Sequence, residues 1–269
     1  MFSDTLSMYP VQDSEKWFEI PVVATNICDY DRSFGVEVDD KASNAIEKKQ
    51  YVVESNTVTI KAGERVAKFR MKGVYENIGK TDSLSVTFNL LAKDENIWDL
   101  YGTRTRVQMQ KACPFELSTF EGYCLLTSSF FSAYMTNTEH RLLQAERDKA
   151  EDNTIILHDF FYKNYDLKIK YDPSDPLKPF VEFDEQIIGS TAEAFGTIYG
   201  NGKLMCDQPV AYDSYYNVCQ KFVILYTTIY VVGKGTVGTY VNILEWISDE
   251  EAEQYKNCLL YTSPSPRDY

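Results

Sequence analysis

Residues 84–90 read Leu-Ser-Val-Thr-Phe-Asn-Leu, and residues 104–110 read Arg-Thr-Arg-Val-Gln-Met-Gln. In the first stretch Leu84, Val86, Phe88 and Leu90 point one way, and Ser85, Thr87 and Asn89 the other. Successive side chains of a strand leave opposite faces, so this alternation marks a strand with one face buried and one in water. The second stretch sets Thr105, Val107 and Met109 against Arg104, Arg106, Gln108 and Gln110. The same period recurs toward the N-terminus in 17–23, 34–38, 57–60 and 65–71. In the last of these Ala67, Phe69 and Met71 share a face opposite Lys68 and Arg70, and Lys61-Ala62-Gly63-Glu64 supplies the turn before it. Short strands at this spacing, separated by turn residues, predict a β-sandwich over residues 1–111.

A join is expected at Lys111–Pro114, because Pro114 cannot donate to a sheet ladder and a new series of strands opens at Phe120. That series runs through 120–129, 154–161, 166–171 and 179–183. A hairpin follows over 195–205, with Gly200-Asn201-Gly202 at its tip, then a long buried strand from Phe222 to Val232 and a last strand over 239–247. Gly233–Gly238 reads as the turn between the last two. The meander predicts a barrel-like sheet over residues 112–256. One segment stays open between strand and helix: Asn137–Asp152 has strong helix formers and Asn137 as a cap, but a thin apolar stripe of Leu142, Leu143 and Ala145.

Bulk properties agree with an all-β chain of two domains. A length of 269 residues suits two units. The 20 Tyr and 15 Phe favour half-buried pleated surfaces. A net charge of −13 excludes nucleic acid as a partner, and docking on an anionic membrane through a basic patch, because both need clustered Lys and Arg. The six cysteines form no Cys-x-x-Cys pair, so they read as free buried thiols. The longest apolar run, Phe222–Val232, falls short of the roughly 20 residues of a spanning helix.

No catalytic motif is present: there is no His-Glu-x-x-His, no Gly-x-Ser-x-Gly and no phosphate-binding Gly-x-x-x-x-Gly-Lys. His140 and His158 read as structural. Glu182 and Asp184 lie two apart on one strand and read as a solvated face, so no catalytic residue and no cofactor is assigned. Asp29, Asp31 and Asp40 imitate part of a calcium loop, but Phe34 stands where such a loop needs glycine. The remaining candidates are aromatic. Tyr212, Tyr215 and Tyr216, in Ala-Tyr-Asp-Ser-Tyr-Tyr-Asn, with Trp98 and, less so, Trp17, could offer ring faces to a sugar and hydroxyls to its oxygens.

The first half resembles a module of surface lipoproteins of gut Bacteroidetes that is similar to Calx-beta and other Ig-like sandwiches. The resemblance is carried by Asp29-x-Asp31-Arg32 before a strand, the strand at Tyr51, and the Val58-Thr59-Ile60-x-Ala62-Gly63-Glu64 turn. The second half, from Phe120-Glu121-Gly122-Tyr123, is similar to the lipocalin-like β-barrel domains that follow such modules. The resemblance implies a non-enzymatic cell-envelope protein, at the outer-membrane surface or in the periplasm. It implies capture of a carbohydrate or other small nutrient, membrane attachment only through an N-terminal lipid anchor, and envelope proteins as partners. The alternative is a structural or adhesion subunit that meets partner proteins through its sheets. The expected signal peptide and lipidated cysteine are absent, which fits a chain that begins inside its first strand. Residues 257–269 are expected to be a disordered tail, and they resemble a translated sequencing adapter.

Overall fold

The computed structural model describes residues 1–92, 102–135, 138–176 and 178–262. The chain divides into two compact units, Met1–Cys113 and Pro114–Tyr269, each with its own core.

The first unit contains β1 (Leu6–Val11), β2 (Phe18–Val23), β3 (Arg32–Val38), β4 (Tyr51–Val53), β5 (Thr57–Ile60), β6 (Val66–Gly73), β7 (Leu84–Leu91) and β8 (Arg104–Lys111). They form a five-stranded sheet, β1-β8-β7-β3-β5, and a three-stranded sheet, β2-β6-β4. β1 and β8 pair in parallel, and the other strand pairs described in this unit are antiparallel. This is the Ig-like sandwich. Val86, Phe88, Val107 and Met109 of one sheet meet Ile20, Val22, Phe69 and Met71 of the other. The rings of Phe69 and Phe88 cross edge-on at 4.9 Å.

One expectation fails here. Ser85 and Thr87 are buried, so β7 is covered on both faces. Pairing with β3 reaches only Val38↔Phe88, which leaves the next backbone groups of β7 without a strand. The segment after β3 takes that place: Ser43 Oγ accepts from the Thr87 amide at 2.9 Å and Asn44 Oδ1 from the Ser85 amide at 2.6 Å. Sequence periodicity has no signature for a cover made of side-chain oxygens.

The second unit contains β9 (Gly122–Ser128), β10 (His140–Arg147), β11 (Thr154–Leu157), β12 (Leu167–Asp172), β13 (Phe180–Glu182), β14 (Gln186–Ser190), β15 (Lys203–Asp207), β16 (Ser214–Asn217), β17 (Phe222–Val231) and β18 (Gly235–Trp246). Its helices are α1 (Ser129–Tyr134), α2 (Thr191–Phe195) and α3 (Asp249–Thr262). The ring β9-β10-β11-β12-β13-β16-β17-β18 closes because β17 pairs with β18 and β18 with β9. The β14 and β15 pair is an excursion. β16 takes the first part of one β17 edge, at Tyr215↔Ile224, and β15 takes the last part, at Met205↔Tyr230.

The barrel interior is packed with side chains. Phe120 is fully buried, with ring centroids 4.6 Å from Tyr171, 5.6 Å from Tyr216 and 5.1 Å from Trp246. At the closing seam the buried Asn242 donates to Leu225 O at 2.9 Å and to Thr227 Oγ1 at 3.0 Å, and accepts from Ser128 Oγ at 2.6 Å. All three strands of the seam are therefore tied by one amide, whose polar atoms are matched as burial requires.

Several sequence readings change. The open segment is a strand, β10, with Leu143 and Ala145 inward and both edges paired; its candidate cap Asn137 lies outside the described residues. The expected hairpin over 195–205 supplies only its second strand, β15: the first is β14, and α2, opened by a capping box of Ser190 and Glu193 and ended by Gly196 at φ 73°, lies in the connection. The strand read as wholly buried, β17, is buried on one face only. The acidic end after β18 is helical, because Ser248 and Glu251 exchange hydrogen bonds at its start and Ala252 is fully buried against the barrel. That helix continues through Asn257–Thr262, part of the segment expected to be disordered. Cys28, Cys124 and Cys206 carry free thiols, whereas Cys113 and Cys219 are disulfide-bonded, against the expectation of free thiols throughout.

Replacing Phe120 by alanine removes the ring around which this end of the barrel is packed. The variant is expected to lose about 3–5 kcal/mol of barrel stability in urea denaturation. A loss near zero would show that the neighbouring rings pack without it.

Candidate functional site

The outer wall of the barrel at β16 and β17 is the aromatic surface. Strand alternation puts Val223, Leu225, Thr227, Ile229 and Val231 inside, and Phe222, Ile224, Tyr226, Thr228 and Tyr230 outside. The same alternation splits the tyrosine cluster. Tyr215 points out and Tyr216, its neighbour on β16, points in. Tyr212, in the turn before β16, lays its ring on Tyr226 with centroids 5.1 Å apart and planes 20° apart. Tyr215 meets Phe222 edge-on at 6.3 Å. Tyr212 and Tyr215 remain 52% and 44% exposed, enough to present ring surface to a ligand. Ile224 and Tyr226 face Ile243 and Val241 of β18, so the rings stand on an apolar bed.

Tyr216 does not belong to this surface. It is buried beside Tyr171 and Phe120, its hydroxyl donates to Asp172 O at 3.3 Å, and burial pushes its pKa up to about 12. Sequence reading grouped all three tyrosines as one candidate surface; period two within Ser214–Asn217 separates them. The same reading missed Tyr226 and Phe222, which the alternation of β17 reveals once the strand is taken as half-buried. Trp98 lies outside the described residues. Trp17 belongs to the first unit, where Lys72 Nζ sits 5.1 Å from its ring centroid.

The three candidate calcium ligands are not brought together. Asp29 and Asp31 precede β3 and Asp40 follows it, and a seven-residue strand spans about 23 Å. Asp31 is engaged elsewhere: it accepts from Lys61 Nζ at 2.8 Å and from the Ala62 amide at 2.9 Å. The lysine hydrogen bond, then the amide, lowers its pKa. Arg32 donates to Asn26 O and Glu64 O, both at 3.1 Å, and the Gly63 amide reaches Cys28 O at 2.8 Å. The Asp-x-Asp-Arg stretch thus holds the Lys61–Glu64 turn. Among the described residues, no group of three or more His, Cys, Asp or Glu side chains is placed to hold a metal ion.

Glu182 and Asp184 line a polar depression of about 440 Å3 beside β12. Glu182 lies 4.0 Å from Lys170, and Lys168 lies 2.5 Å from Asp148 and 3.8 Å from Glu151. The charges there are matched across strands. His140 Nδ1 shares a hydrogen bond of 2.8 Å with Thr127 Oγ1. His158 sits between Asp166, 3.0 Å from Nδ1, and Glu146, 3.3 Å from Nε2.

Fold and surface together define an all-β protein with an Ig-like sandwich and a filled barrel that carries aromatic rings on its outer wall. Residues 100–258, well over half of the chain, match the family described as Domain of unknown function (DUF4984), and the chain belongs to that family. No curated protein matches it. Among solved structures it is similar to a protein of unknown function from Bacteroides ovatus, with 10% identity, 90% of each chain covered and a TM-score of 0.38. It is also similar to an auxiliary nutrient binding protein from Bacteroides thetaiotaomicron, with 11% identity, 90% of this chain and 91% of that chain covered, and a TM-score of 0.35. A third is the calcium binding domain CBD12 of CALX1.1, with 14% identity, 58% and 76% covered, and a TM-score of 0.35. Likenesses at this level lend the chain no ligand and no role.

Burial, the largest single influence on His158, draws its pKa down, but the hydrogen bonds and charges of Asp166 and Glu146 together outweigh it and the net shift is upward. A raised folded-state pKa means that the protonated imidazole stabilises the fold fully below the unfolded value of about 6.5 and less as pH rises through the folded value. The stability difference between the wild type and His158→Gln is therefore expected to be larger near pH 6 than near pH 9, by urea midpoints. A difference that grows with pH would reverse the assignment.

Proposed function

We propose that this is a non-enzymatic binding protein of the cell envelope that captures a carbohydrate, or another small nutrient of similar shape, on the outer wall of its barrel. The observation that carries this reading is the pair of ring contacts, Tyr212 on Tyr226 and Tyr215 against Phe222, with both tyrosines exposed, Tyr215 on β16 and Tyr212 in the turn before it. Aromatic faces stack on the C–H faces of sugar rings, and the tyrosine hydroxyls add hydrogen bonds. Rings held by neighbours lose little freedom on binding, which favours affinity.

Two further observations support the reading. The barrel interior is occupied by its own side chains, so capture on the outside suits it better than capture within. Cys113 and Cys219 are disulfide-bonded, and disulfides persist in oxidising compartments such as the periplasm and the cell surface.

Affinity electrophoresis through gels containing soluble polysaccharides, together with a glycan array, tests the proposal. Tyr212→Ala and Tyr215→Ala are each expected to weaken retention by about three- to tenfold, equivalent to losing a stacking contact of about 0.5–1.5 kcal/mol, with thermal stability nearly unchanged. Failure of the wild type to be retained on any polysaccharide would overturn the reading and favour a structural subunit.

A further inference from the structure

The helix that follows the barrel makes a second contact surface on the same wall. Among its described residues, α3 is fastened to the barrel through Ala252 and Lys256. Ala252 is fully buried, and one turn later Lys256 donates to Tyr123 Oη at 2.9 Å, with its ammonium 4.2 Å from the Tyr123 ring centroid. Residues four apart lie on one face of a helix, so Ala252 and Lys256 form the docked side. Glu251, Gln254 and Tyr255 lie on the adjacent side, which overhangs the end of the sheet and encloses a groove of about 560 Å3.

The groove has a distinct chemistry. Leu125, Trp246 and Ile247 supply its apolar lining, and Gln220, Glu245, Glu251, Gln254 and Tyr255 its polar lining. Amides both donate and accept, carboxylates accept, and the tyrosine adds a ring and a hydroxyl. None of the described residues that line it is basic, and the chain carries a net charge of −13. An anionic ligand would meet two carboxylates without a cation to offset them. A neutral, polyhydroxylated ring fits: it offers donors to the carboxylates, both functions to the amides and an apolar face to the apolar lining.

Position joins the groove to the aromatic surface. Glu245 on its edge is the direct cross-strand partner of Phe222, and Phe222 meets Tyr215. Phe222 and Tyr226 are four residues apart on one face of β17, about 13 Å along the strand. The Tyr212–Tyr226 pair, the Tyr215–Phe222 pair and the groove therefore follow one another along β17.

We infer that this protein binds an extended, uncharged glycan chain, lying along β17 over the two ring pairs with one terminal stretch held in the α3 groove. This inference rests on the reading of the protein as a carbohydrate binder and adds the ligand's length, charge and direction.

Isothermal titration with malto-, cello-, manno- and xylo-oligosaccharides, each from the disaccharide upward, and with oligogalacturonates as acidic counterparts, tests it. One neutral series is expected to bind more tightly with length until the chain spans the wall, and the acidic series to bind at least tenfold more weakly. The double variant Gln254→Ala/Tyr255→Ala is expected to lose about tenfold on the long members and little on the short ones, which the ring pairs alone can hold. Both substituted residues are exposed, and circular dichroism of the variant, expected to match the wild type, checks that α3 persists. If long oligosaccharides bind, and lose affinity in Tyr212→Ala but not in the α3 variant, the groove is not part of the site and the surface reading stands alone. If the acidic series binds as well as the neutral one, the charge argument is wrong. If none binds, both readings fall.

Discussion

The second unit depends on one strand. β17 runs for ten residues and serves three partners: β18 along one edge, and β16 then β15 along the other. Its alternation supplies five inward side chains to the barrel core and five outward ones to the wall. A slip of one residue would exchange the two sets, moving Val223, Leu225 and Ile229 into water and Phe222, Tyr226 and Tyr230 into a filled interior. The Asn242 amide opposes such a slip, since its bonds to Leu225 O, Thr227 Oγ1 and Ser128 Oγ form at one register only. The aromatic surface is thus a by-product of the constraint that closes the barrel, and this makes it rigid.

Much of this was legible where side chains repeat at period two. The sandwich strands, and the inward sets Ala67-Phe69-Met71 and Thr105-Val107-Met109, follow from alternation alone because a sheet has only two faces. What the sequence hid were places where a side chain replaces a backbone partner. Ser43 and Asn44 finish the edge of β7, and no spacing rule announces them. Capping boxes turned two stretches into helix, Ser190–Glu193 and Ser248–Glu251, and both are visible as Ser-x-x-Glu once sought. The tyrosine cluster was found but not resolved, since a run of aromatic residues in a strand divides between core and surface by parity.

The resemblance of the first unit to calcium-associated modules rests on residues that the structure uses mechanically. Asp31 holds the start of the Lys61–Glu64 turn and Arg32 its end, so the two motifs are two halves of one contact. In this chain those residues fix the loop between β5 and β6. Ligation needs carboxylates that converge, and in this chain a strand keeps them apart.

β13 is only three residues long, and pairs with β12 no further than Lys170. The exposed backbone of β12 beyond it is met by an amide: Gln186 accepts from the Lys168 N–H and donates to the Lys168 carbonyl, both at 2.9 Å. Gln208 likewise accepts from the Phe183 amide at 3.2 Å. An open stretch of strand is a template on which a foreign chain can zip and seed aggregates. With its donor and acceptor already occupied by a side chain of the same molecule, this edge offers an incoming strand nothing to bind. The barrel can therefore keep a short stave, and the polar depression beside it, without leaving this edge open to an incoming strand.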